Sequence, residues 1–201
     1  MNYINTQTGE YPIHEYALRE MFSNISFPSP FQPPEGFAEV QWTEAPPFDN
    51  ISQQSVEQAP VEVNGKFLQV WAIEDRTSGE AAARLADAKA AKNNQINAWR
   101  LAANRSTFLH GGKTFACDEL SRSDIDGVTS FVTLNGALPP GWPGGWKAQD
   151  NTYYAITDVA GWTAFVGSMV AAGNAHFARS QTLKAQLATA TTTAEINAIQ
   201  W

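Results

Sequence analysis

The sequence reads as an α+β protein on three counts. Eight of the eleven prolines fall between Pro12 and Pro60, which predicts an extended, Pro-rich N-terminal arm running into a small antiparallel sheet. Residues 78–104 contain no proline and are rich in alanine, as a long helix favours. From residue 106 onward, short Gly- and Asn-containing turns alternate with helical apolar periods, which predicts a compact C-terminal domain of β-hairpins and helices. The expected organisation is arm and sheet over residues 1–76, helix over 77–105 and α+β domain over 106–201. A chain of 201 residues is long enough for one or two domains with a real core.

In the arm, Ile13, Ala17, Leu18 and Met21 follow Pro12 at helical spacing and predict a short helix. The stretch FPSPFQPPEG, residues 27–36, cannot be a helix or a central strand. Proline fixes φ, removes an N–H donor and pushes its predecessor out of the helical region. Phe22, Phe27, Phe31 and Phe37 are too many bulky apolar side chains for a solvated linker. They must press on a surface, either this protein's own domain or a partner chain, and they are the candidate docking residues. Phe37–Trp42 is a candidate strand. Val61–Val63 and Lys66–Ile73 pair about Asn64-Gly65, since a type I′ turn needs positive φ at both central residues. The sheet is expected to end near Arg76.

The helix opens on Thr77-x-x-Glu80, a capping box in which side chains satisfy orphan backbone donors. Seven of the eleven residues from Ala81 to Ala91 are alanine, and the whole helix reaches roughly 40 Å at its ordinary rise. Its apolar stripe, Leu85, Ala88, Ile96, Trp99 and Ala103, is thin and is broken by Lys92. Such a stripe suits close helix packing through Leu85, Ile96 and Trp99. Two arrangements are open: one helix lying on its own domain, or a self-associating coiled coil that makes a homo-oligomer, a trimer included.

Beyond it, Ser106–His110 and Lys113–Cys117 flank the turn Gly111-Gly112. Ser121-x-x-Asp124 is the expected start of a helix that carries Ile125, Val128, Phe131 and Val132 and stops at Asn135-Gly136. After the loop ALPPGWPGGW, Trp146–Gln149 and Thr152–Ile156 form a second hairpin about Asp150-Asn151. Thr157 or Asp158 caps a helix bearing Trp162, Phe165, Met169 and Ala172, which continues through Phe177 and Leu183 to Leu187 with a break expected near Gly173. A last capping box, Thr192-x-x-Glu195, leads to Ile199 and Trp201.

Composition narrows the function. A net charge of −7, with 13 scattered basic residues, opposes nucleic acid and an anionic membrane surface alike. No apolar run approaches a membrane span, and the N-terminus has neither the basic nor the apolar region of a signal peptide, so use without secretion is expected. One cysteine, Cys117, excludes a disulfide framework. His14, His110 and His176 have no partner at metal-ligand spacing, so no metal site is expected. Gly111-Gly112-Lys113-Thr114 has the ending of a P-loop, but Thr107 stands where the first glycine belongs and both flanks read as strands. Asp118, Glu119, Asp124 and Asp126 lack EF-hand spacing. With no catalytic or cofactor-binding constellation, the chain is expected not to be an enzyme and to carry no cofactor. Trp142, Trp146, Tyr153, Tyr154 and Trp162 lie within 21 residues. They are core, a protein interface or a glycan platform, with Trp142, Trp146 and Tyr153 the candidates for the last two.

The opening INTQTGEYPIHEYALREMFSNISFPSPFQPPEGFAEV, the VEVNGKFLQVWAIED hairpin and the alanine-rich helix resemble the N-terminal region of short tail proteins of tailed bacteriophages. FACDELSRSDIDGV, TYYAITDVAGWTAFV and LKAQLATATTTAEINAI resemble a phage domain of unassigned function encoded near tail genes. The resemblance covers nearly the whole chain. It implies a minor tail or tail-fibre assembly protein, located in the virion tail and in the host cytoplasm during assembly, with tail-fibre or baseplate proteins as partners. It implies no catalytic residues. An assembly chaperone absent from the mature particle is the alternative, and host-receptor or glycan binding by the C-terminal domain is a further one.

Overall fold

The first residues of the chain already lie in a sheet. A computed structural model describes residues 1–201. Strand β1 (Asn2–Asn5) pairs antiparallel with β2 (Ile13–His14), helix α1 (Glu15–Met21) follows directly, and β1 pairs again with β3 (Phe37–Gln41). Strands β4 (Gln53–Val63) and β5 (Lys66–Asp75) form a long hairpin whose turn residues Asn64 and Gly65 have φ of 53° and 76°, as the Asn-Gly turn requires. The order is β2-β1-β3-β5-β4. β1 and β2 lay outside the expected elements.

The sheet is mixed, which corrects the antiparallel expectation. β3 and β5 run parallel, with Val40 beside Phe67 and Gln41 beside Leu68. After β3 the chain crosses to the sheet edge, comes back as β4 and turns again, so β5 fills the gap in the same direction as β3.

The second correction concerns the arm. Residues 22–36 hold no strand, yet they are folded onto their own sheet. Pairing puts Tyr3 opposite Ile13 and Asn5 opposite Phe37, so Tyr3, Ile13 and Phe37 share one face. Leu18 of α1 is buried with Tyr3 and Ile13, and Phe22, Phe31 and Phe37 pack on that cluster. Phe31 meets Tyr3 edge-on at 5.4 Å and Phe22 meets Phe37 at 5.7 Å between ring centroids. The Arg19 guanidinium lies 5.2 and 4.8 Å from the rings of Phe27 and Phe31. Of the two surfaces open to these phenylalanines, the chain's own supplies the contact.

Helix α2 (Ser78–Asn104) has the expected bounds, with Thr77 N–H donating to Glu80 Oε2 and Glu80 N–H to Thr77 Oγ1. By internal contacts the chain divides inside this helix, into Met1–Leu85 and Ala86–Trp201.

The second unit contains hairpin β6 (Thr107–His110) and β7 (Lys113–Ala116), helix α3 (Glu119–Asn135), hairpin β8 (Gly145–Lys147) and β9 (Tyr153–Ala155), helix α4 (Val159–Thr189) and helix α5 (Thr193–Ala198). Its core gathers Phe108, Phe115, Cys117, Ile125, Val132, Ile156, Trp162, Phe165 and Met169. Helix α3 starts earlier than expected, because Asp118 accepts from Ser121 N–H and is the N-cap. Helix α4 runs unbroken past Gly173. A helical glycine costs about 1 kcal/mol, too little to end a helix anchored at both ends by Trp162, Phe165, Leu183 and Leu187, all buried. No helix is long and apolar enough to cross a membrane.

Candidate functional site

The arm phenylalanines are engaged within the first unit; the large apolar residues left exposed there are Met1, Tyr16, Met21, Ile25 and Trp42 and, on the β4–β5 hairpin, Val61 and Val63. Register places Val56 opposite Ala72, Gln58 opposite Val70 and Val61 opposite Leu68. Directly opposed residues share a face, so Val56, Val61, Leu68, Val70 and Ala72 line one side. Val61 is 52% exposed, whereas Val56, Leu68, Val70 and Ala72 are half-buried.

The other side of the hairpin is covered. Trp71 Nε1–H donates to Thr43 O at 3.0 Å, Thr43 N–H to Gln69 Oε1 at 3.3 Å and Gln69 Nε2–H to Glu57 Oε1 at 2.6 Å. The Tyr11 hydroxyl also donates to Glu57. Burial, with the Glu57 carboxylate beside it, pushes the Tyr11 pKa up. Expectation from sequence passed over this one-sided arrangement, although its signal is present: Val61-Glu62-Val63 and Leu68-Gln69-Val70 alternate as a half-covered strand does. The surroundings are acidic. Residues 1–85 carry twelve carboxylates against four Lys and Arg, whereas residues 86–201 carry eight against nine.

The candidate helix-packing residues divide. Ile96 is fully buried, Trp99 and Leu85 are half-buried, and Lys92, expected only to interrupt the stripe, is itself buried. Within the second unit, Lys89 Nζ donates to Ala188 O at 2.8 Å, at the end of α4. Lys92 Nζ reaches Ile199 O, just beyond α5, at 3.4 Å. Cations there complement the free carbonyls of a helix C-terminus. Lys92 also lies 5.4 Å from the Trp99 ring centroid. Residues 86–104 thus lie on the helices of their own unit.

The candidate aromatics of the second unit separate as well. Trp142 is held on the core side: its Nε1–H donates to Ile156 O at 2.7 Å, and its ring stands 5.4 Å from Trp162 and 6.0 Å from Trp146. Tyr153 is 65% exposed. Trp146 packs on Trp162 and Phe165 and also lines a cleft of ≈ 390 Å³ with Asp124, Lys147, Gln149 and Asn151. The turn bounding this cleft is fastened. Asp150 accepts from Thr152 Oγ1 at 2.5 Å, Thr152 N at 3.0 Å and Lys113 Nζ at 3.1 Å. Those bonds, Thr152's first, hold the Asp150 carboxyl down at about 2.

His110 Nδ1 lies 2.8 Å from Ser168 Oγ and His176 Nδ1 lies 2.9 Å from Asn104 Oδ1. No three His, Cys, Asp or Glu side chains converge as metal ligands.

No curated protein and no solved structure matches this chain. The DUF4376 family, described as a domain of unknown function, matches residues 87–200, and these bounds nearly coincide with the second structural unit. The match spans more than half of the sequence, and the chain belongs to the DUF4376 family.

Proposed function

We propose that this protein is a non-enzymatic structural component of a bacteriophage tail, attached to a tail-fibre or baseplate protein through its first unit. The observation that carries the docking is the apolar face of the β4–β5 hairpin, exposed at Val61 and Val63 and half-buried at Val56, Leu68, Val70 and Ala72, set in a strongly acidic unit. An open apolar sheet face is a favourable place to bury a partner. Excess negative charge disfavours a second copy of the same face and favours a surface ringed by Lys and Arg. The phage assignment is supported by the resemblance of residues 4–40, the hairpin and the alanine-rich helix to short tail proteins. Docking thus moves from the phenylalanines of the arm, whose rings are occupied, to the hairpin. Self-association falls to α2, where exposed Ala83, Ala86 and Ala90 allow a second helix to approach closely; a trimer is one such assembly.

Mass spectrometry of purified particles, with chemical cross-linking before digestion, is the test. The expected result is this chain in the mature virion, cross-linked through Lys66 to a fibre or baseplate protein. Its absence from particles, with presence in fibre-assembly complexes, would assign it instead to assembly as a chaperone.

A further inference from the structure

We propose that Asn64, at the tip of the β4–β5 hairpin, is a self-modification site that deamidates through a succinimide, and that the fold keeps Asn135 intact. The chain contains two Asn-Gly dipeptides, Asn64-Gly65 and Asn135-Gly136. In each, the glycine has no Cβ to crowd the attack of its own amide nitrogen on the asparagine side chain. By sequence the two are alike. Their surroundings differ.

At the hairpin tip the reacting groups are free. Asn64 and Gly65 are both exposed, and the Asn64 carboxamide has no hydrogen-bond partner within the chain. The Gly65 N–H has no acceptor, and the space where a Cβ of Gly65 would stand is open. Strand β3 pairs with β5 only at Phe67 and Leu68, so the turn projects beyond the part of the hairpin that β3 supports. Opening it far enough for attack breaks only the Val63–Lys66 pair. At the end of α3 the same groups are engaged. Gly136 N–H donates to Val132 O at 2.8 Å, and Asn135 Nδ2–H donates to Phe131 O at 3.0 Å. Attack there requires both bonds to break and the last helical turn to unwind. Asn135 is exposed as well, so hydrogen bonding, not access to water, separates the two.

The chemistry consumes only water. The Gly65 nitrogen gives its proton to base and attacks Asn64 Cγ. As the N–Cγ bond forms, the Cγ–Nδ2 bond breaks, and Nδ2 takes up a proton and leaves as ammonia. Water then opens the succinimide at one of its two carbonyls, leaving aspartate or isoaspartate at position 64. Asp-Gly serves a type I′ turn as Asn-Gly does. Isoaspartate lengthens the main chain of the turn and displaces the register that loop length fixes. Either product adds a carboxylate to a unit with twelve of them against four Lys and Arg, beside the exposed Val63. The reaction does not depend on docking of the hairpin to a partner.

The experiment incubates the full chain in mildly alkaline buffer, native and in guanidinium chloride, and follows both asparagines by peptide mapping with mass spectrometry. Isoaspartate is scored separately with a protein isoaspartate methyltransferase. In the native protein Asn64 should lose its amide at least about tenfold faster than Asn135. In denaturant the two should react at similar rates. An intact Asn64 in the native protein, or an Asn135 that keeps pace with it, overturns the proposal. Persistence of the difference in denaturant also overturns it, since the fold would then have no part in the selection.

Discussion

Gly145 and Asp150 show how single residues set the second hairpin of the DUF4376 unit. Gly145 is buried opposite Ala155, and a Cβ there would run into the Tyr154 carbonyl, which is backbone and cannot move aside. Gly145→Ala should therefore destabilise the protein by about 1–3 kcal/mol, read as a lower midpoint in urea unfolding. Asp150 offers a pH test. Its carboxyl lies at about 2, below the ordinary 3.8, so the folded state favours the charged form. The stabilisation is present above pH 3.8 and is lost as pH falls through about 2. Thr152 and Lys113 both hold this pKa down, so Thr152→Val and Lys113→Met should each raise it. Carboxyl ¹³C titration measures both, and an unchanged Asp150 pKa in either variant would contradict this account. The turn dipeptides and the capping residue Thr192 were legible in the sequence because each acts within a few residues of itself.

At the scale of elements, the β4–β5 hairpin and helix α2 carry the functional reading. Val61→Glu with Val63→Glu, on open and solvated positions, should leave the circular dichroism spectrum and melting temperature of the isolated protein almost unchanged. The same pair should abolish recruitment to tail-fibre or baseplate complexes, measured by co-purification. A large loss of stability would mean that the face is covered within the chain. Ile96 is the opposite case. It is fully buried, and Ile96→Ala should cost about 2–5 kcal/mol in chemical denaturation. Ile96 is buried and Trp99 half-buried on the stripe that their spacing marks. What covers that side was undetermined in sequence, because the same stripe serves α5 of its own unit or a second copy equally well.

For the whole molecule, the division after Leu85 matters most. Every residue of the Phe108–Trp162 core comes from the second unit. A fragment of residues 77–201, which keeps α2 and its Thr77–Glu80 capping box, should thus unfold cooperatively by itself, as thermal circular dichroism would show. The net charge of −7 concealed an uneven distribution. The first unit has twelve carboxylates and four cations and the second is nearly balanced, so docking by the first should weaken steeply as salt is raised.

Helix α2, the Asn64-Gly65 and Gly111-Gly112 hairpin turns and the cap of α5 were determined by the sequence alone, since alanine content, turn dihedrals and capping bonds are local. The placement of Phe22, Phe31 and Phe37, the parallel pairing of β3 with β5, the unbroken passage of α4 past Gly173 and the convergence of Asp124 with Gln149 and Asn151 were decided only in the tertiary structure. Each depends on which distant surface reaches a residue first, and the physical chemistry of the residue itself is the same whichever surface that is. The α+β class was therefore visible from the start, while which surface receives the arm, the chain's own sheet, was not.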